Sequence, residues 1–149
     1  MTDRRTFVVG AAAVALSAGY PMLAAAQAAP NDIQAVLKTL IGNATPVEGK
    51  ISLDLPEIAE NGNTVPYALR VDSPMTASQY VKAVHILAPA NPLPQVASFY
   101  FTPASGRASV ASRMRLAQTQ EVTVIAEISD GTFFMVKRPV RVTVGGCGG

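Results

Sequence analysis

Tryptophan is absent from this 149-residue chain, cysteine and histidine occur once each, and aromatic side chains make up only 6% of it. Each shortage removes a class of function. A single cysteine cannot close an internal disulfide, and an odd thiol suggests pairing between molecules or a reactive group. One histidine (His85), one distant cysteine (Cys147) and scattered carboxylates have no spacing that makes a metal site. No serine stands in a glycine elbow and no base stands near a nucleophile, so a hydrolase triad has no support. Charge is sparse as well. Setting aside Asp3, Arg4 and Arg5, ten lysines and arginines face nine aspartates and glutamates, which leaves no basic surface for nucleic acid.

What the chain does carry is unevenly placed. Near its start, Asp3-Arg4-Arg5-Thr6-Phe7 puts paired arginines ahead of a weakly hydrophobic, alanine-rich run that continues to Ala26, and Ala26-Gln27-Ala28 has the small-x-small form of a cleavage site. Residues 1–28 therefore read as a secretory signal of the twin-arginine type, a route for proteins already folded, with Arg4 and Arg5 as the export address. The run is nearly long enough to span a bilayer. Its alanine content and Gly10, Gly19 and Pro21 argue against an anchor. The part that follows, about 120 residues, is the size of one domain with one core. Its compartment is expected to be a bacterial periplasm.

At the other end stands Gly145-Gly146-Cys147-Gly148-Gly149. Glycine loses the most freedom on ordering, so four of them around one thiol argue for a mobile arm, residues 145–149, after a domain spanning 29–144. Five residues extend to at most about 17 Å. That is enough to enter a pocket on another protein. A thiol with no base, oxyanion hole or metal beside it is a handle for other proteins rather than an active site.

Between these ends the pattern is one helix and then strands. Asn31 can cap a helix with Gln34 three residues on, and Ile33, Val36, Leu37, Leu40 and Ile41 form one apolar stripe until Gly42-Asn43 stops it. From Ile51 onward the alternation has period two, in Ile51–Leu55, Val65–Val71, Tyr80–Leu87, Val96–Thr102, Val110–Leu116, Val122–Ile128 and Thr132–Val144. Asn61-Gly62-Asn63, Pro89–Pro94, Ser105-Gly106 and Asp130-Gly131 connect them, and Asp-Gly is a strong hairpin signal. About seven short strands predict a mostly β, immunoglobulin-like sandwich. Pro139 marks a bulge or an edge position in the last strand.

Three other groups attract notice and have plain explanations. His85 alternates with Val81 and Leu87 and reads as a satisfied structural histidine. Glu57 and Glu60 could pose as an acid–base pair, but between two strands they read as solvated loop charges. Lys137, Arg138 and Arg141 read as a charged strand edge that resists aggregation, with attraction of anions to the tail as the other possibility.

The twin-arginine signal, the stretch from Leu55 to Pro66, Asp72-Ser73-Pro74-Met75, the all-β body and above all the closing Gly-Gly-Cys-Gly-Gly resemble SoxY, the sulfur-carrier subunit of the periplasmic thiosulfate-oxidising Sox system. The likeness covers essentially the whole of the chain after the signal. It implies that Cys147 holds sulfur intermediates covalently and that the chain does not itself turn over substrate. It also implies a heterodimer with SoxZ and successive work by the haem c enzyme SoxAX, the hydrolase SoxB and the sulfane dehydrogenase Sox(CD). No cofactor is implied for the chain itself. Two other readings stay open from the residues: an exported adhesion or binding sandwich that dimerises through Cys147, and a carrier activated as a thiocarboxylate on Gly148-Gly149, against which the export signal argues.

Overall fold

The computed structural model describes residues 32–146. Arg4 and Arg5, the 1–28 signal, Asn31, Cys147, Gly148 and Gly149 lie outside the described residues. The helix expected near the start is α1, Ile33–Ile41. Asp32 caps it, its carboxylate accepting from the Gln34 N–H at 2.9 Å, which satisfies one of the amides that a first turn leaves unpaired. At its other end Gly42 adopts φ 59° and donates to the Lys38 carbonyl. The apolar stripe is half-buried, and no residue of α1 is fully buried.

Nine strands follow: β1 (Val47–Glu48), β2 (Ile51–Asp54), β3 (Ile58–Ala59), β4 (Val65–Val71), β5 (Val81–Leu87), β6 (Gln95–Tyr100), β7 (Ala108–Met114), β8 (Gln120–Ile128) and β9 (Phe133–Val142). They form two layers. One has the order β1-β9-β8-β5-β6, with β3 also pairing β9, and the other has the order β2-β4-β7. This is the expected immunoglobulin-like sandwich, with two strands more than the period-two pattern indicated. The extra two, β1 and β3, are only two residues long and run parallel to β9, too short for any alternation to announce them.

The core lies between the layers. Strand β4 alternates perfectly, burying Val65, Tyr67, Leu69 and Val71, and faces Val84 and Ile86 of β5 and Val122, Val124 and Ala126 of β8. Each fully buried aliphatic side chain of this kind contributes about 1.5–3 kcal/mol, and their sum replaces the disulfide that the chain cannot form. The β8–β9 hairpin turns at Asp130-Gly131, where the Asp130 carboxylate accepts from the Thr132 N–H at 2.9 Å.

One local expectation resolves to the second of its two forms, an edge position, and another is overturned. Pro139 makes no bulge. It keeps register opposite Glu121 and stands where β9 has no second neighbour, between the residues that pair with β1 and those that pair with β3. Because the Arg141 N–H points to the Glu57 carbonyl on that same side, the missing proline N–H faces an unpaired edge and no ladder bond is lost. Val81 does not share a face with His85. A register shift between Val81 and Ala83 turns Val81 into the core and leaves Ala83, His85 and Leu87 on the opposite face.

Candidate functional site at the root of the glycine and cysteine segment

Strand β9 leads the chain towards Cys147, and its last turns are fastened to the segment around β3. Arg141 N–H donates to the Glu57 carbonyl at 2.8 Å and Thr143 N–H to the Ala59 carbonyl at 3.0 Å. The Thr143 hydroxyl donates to the Glu60 carbonyl at 2.8 Å. From there the main chain enters a close three-way contact. Gly62 N–H donates to the Val144 carbonyl at 2.7 Å, Leu116 N–H to the Gly62 carbonyl at 2.8 Å, and Gly146 N–H to the Leu116 carbonyl at 2.9 Å. Gly146 is buried and Gly145 half-buried. The arm expected to move from Gly145 onward is therefore tied to the sandwich through Gly146.

The Leu116 segment is itself braced. Asn91, buried midway along the β5–β6 connection, accepts from the Ala117 N–H at 2.9 Å, donates to the Arg115 carbonyl at 2.8 Å and accepts from the Gln120 amide at 3.0 Å. Gln120 in turn accepts from the Ala90 N–H. On the far side, Thr119 accepts from the Val142 N–H at 2.9 Å. Two exposed apolar side chains belong to these segments: Val144, 61% exposed, and Leu93 of the loop that carries Asn91, 78% exposed. The site is thus a hydrogen-bonded main-chain platform that holds Gly146.

The remaining candidates lie apart from this platform or beside it. The Glu57 and Glu60 side chains are exposed, and both residues serve through their carbonyls, as edge partners of β9. Lys137 pairs with Glu121 at 3.4 Å in the open. Arg138 and Arg141 border a groove of about 480 Å³ floored by Leu53, Leu55, Pro139 and Val140. Among the described residues no group of histidine, cysteine, aspartate and glutamate could hold a metal ion, and no helix is long and apolar enough to cross a membrane.

His85 is buried and its Nδ1 lies 2.7 Å from the Ser98 hydroxyl. The Gln95 amide donates to that same oxygen at 2.8 Å, which leaves the hydroxyl one further lone pair and its own proton for the imidazole. Burial holds the imidazole below its ordinary pKa of 6.5, against the opposing pull of the Glu127 carboxylate. Above pH 6.5 the imidazole is neutral whether the chain is folded or not. As the pH falls below 6.5 the unfolded chain takes up the proton first, so stability is lost on acidification until the folded pKa is also passed. Urea denaturation across that window should show this decline, and His85→Gln should flatten it. An equal slope in the variant would assign the decline to other groups.

The comparisons with known proteins agree with this geometry. A family model described as "Sulfur oxidation protein SoxY" matches residues 37–147. The solved structure of the sulfur carrier protein SoxY from Chlorobium limicola f thiosulfatophilum superposes with a TM-score of 0.63 and 31% identity, over 75% of this chain and 96% of that one. A superoxide reductase (neelaredoxin) from Ignicoccus hospitalis reaches a TM-score of 0.56 at 14% identity, over 63% of this chain and 80% of that one. That second likeness is one of fold alone. No curated protein matches. The fold and the fastened glycine root define a β-sandwich whose described chain ends in a main-chain contact at Gly146. With a match that covers the whole sandwich, the chain belongs to the SoxY family of sulfur oxidation proteins.

Proposed function

We propose that the chain is a covalent carrier of thiosulfate-derived sulfur, with Cys147 as the attachment point. The observation that carries this reading is the family match running through Cys147 itself, the residue next in sequence to Gly146, which the platform holds. The chemistry balances without a catalytic group on this chain. A thiol and thiosulfate join in a sulfur–sulfur bond with loss of one proton and two electrons, which a haem partner accepts. Water then releases the terminal sulfonate as sulfate and leaves a persulfide, whose outer sulfur a dehydrogenase oxidises. The chain is substrate for SoxAX, SoxB and Sox(CD) in turn, and not an enzyme. SoxZ is its stable partner.

Intact-mass analysis of the protein after incubation with thiosulfate and the haem enzyme tests this. The expected product is an adduct on Cys147 that shortens on addition of the hydrolase. A disulfide-linked dimer as the sole product would favour the adhesion reading instead.

The same reading places the protein in the periplasm, exported by the twin-arginine route. A SoxZ subunit without a signal can cross only when bound to a folded partner that has one. Replacing Arg4 and Arg5 with lysine should hold both subunits in the cytoplasm, measured by fractionation and immunoblotting. Arrival of SoxZ in the periplasm regardless would sink the co-export idea.

A further inference from the structure

The contact that ties down Gly146 is built so that only glycine fits on either side of it. A Cβ on Gly62 would stand 2.7 Å from the Gly146 nitrogen and 2.9 Å from Val142 Cγ1, and would also collide with the Leu116 carbonyl. A Cβ on Gly146 would stand 2.6 Å from the Asn63 nitrogen and collide with the Gly62 carbonyl, and one on Gly145 would collide with the Ala117 carbonyl. None of the three has a left-handed φ. Close approach of main chain to main chain calls for glycine here, not conformational freedom. The glycines before Cys147 thus have a structural task that a freely moving arm would not need.

We infer that Gly62, together with Leu116 and Ala117, is a positioning site that sets how far Cys147 can reach; this rests on Cys147 being the carrier thiol. With the contact closed, the pivot is at Gly146, and the cysteine sulfur stays within about 7 Å of the Gly146 Cα. With it open, the next fixed residue is Thr143, held through its N–H by the Ala59 carbonyl and through its hydroxyl by the Glu60 carbonyl. The Cys147 Cα then reaches up to about 14 Å from Thr143. An enzyme whose reacting centre lies near its mouth is served by the closed form. One whose centre lies deeper than the closed reach requires the open form.

The test needs no Sox enzyme. A nitroxide attached to Cys147 of the mature protein reports local motion, and amide exchange at Gly146 reports the contact itself. Gly62→Ala should increase the fast-motion component of the spectrum and speed exchange at Gly146 by about tenfold or more, while cooperative unfolding of the sandwich is retained. Gly146→Ala attacks the same contact from the other side, and its effect should not add to that of Gly62→Ala, because one contact cannot be broken twice. Should Gly62→Ala fail to fold, Gly146→Ala alone decides the matter. Unchanged spectra and unchanged exchange in a folded variant, or additive effects, overturn the inference. Turnover that survives loss of the thiol would refute the carrier reading while leaving these two measurements as they are, so the two failures are told apart.

Discussion

Cys147→Ser is expected to lower thiosulfate-dependent electron transfer in a reconstituted pathway to the level of a mixture that lacks this protein. The proposed linkage is a sulfur–sulfur bond formed by removal of two electrons. A hydroxyl is neither ionised to a useful degree nor oxidisable in this way, so replacing one atom removes the attachment point entirely. Stability is expected to change by less than about 0.5 kcal/mol, because thiol and hydroxyl are close in size. The fastening that stabilises this end of the sandwich comes from the main chain of Val144 and Gly146, and both residues precede the change. Urea denaturation of both forms gives the second half of the result. Activity retained by a folded Cys147→Ser protein would end the carrier reading.

Period-two alternation is a local signal, and the parts of the fold that local signals govern were readable from the residues. Strand β4 alternates without a fault because its two faces meet different media, core on one side and solvent on the other. Asp130-Gly131 was readable because the turn itself demands those residues. The bulge between Val81 and Ala83 was not. It moves Val81 from one face to the other, and an apolar residue in a strand buried on both faces carries no mark of which side it takes. Strands β1 and β3 were hidden for another reason. Each is two residues long and exists only because β9, far along the chain, lies beside it.

The candidate site divides in the same way. The glycine and cysteine segment stood out by composition, and that composition suggested freedom. The structure uses the first two glycines for the opposite purpose, because absence of a side chain permits close packing as readily as it permits motion. Deciding between the two requires knowing that Gly62 sits opposite, and Gly62 looked like part of an Asn-Gly-Asn turn with no other task. Asn91 was concealed more thoroughly. In a proline-rich connection its side chain has every appearance of a turn residue, yet it holds Leu116 and Ala117 in the place that Gly145 and Gly146 need.

Asn91→Leu should therefore weaken the whole protein and loosen the site together. The amide oxygen accepts from both Ala117 N–H and Gln120, and the amide nitrogen donates to the Arg115 carbonyl. Leucine has similar volume and none of these groups, so an N–H, a carbonyl and part of the Gln120 amide lose their partner in a region where Asn91 is only 6% exposed. Each buried group left unpaired costs about 1–3 kcal/mol. Partial relaxation towards water brings the expected loss to about 2–4 kcal/mol, a large share of the ~5–15 kcal/mol that a domain of this size has. Urea denaturation should show the midpoint falling with little change in slope. Exchange at the Gly146 amide should quicken too, because its acceptor, the Leu116 carbonyl, lies between the two residues whose main chains Asn91 holds. A loss under about 1 kcal/mol would mean that water replaces the side chain at little cost. The rigidity of the platform would then have to come from Thr119 and the glycine contact alone.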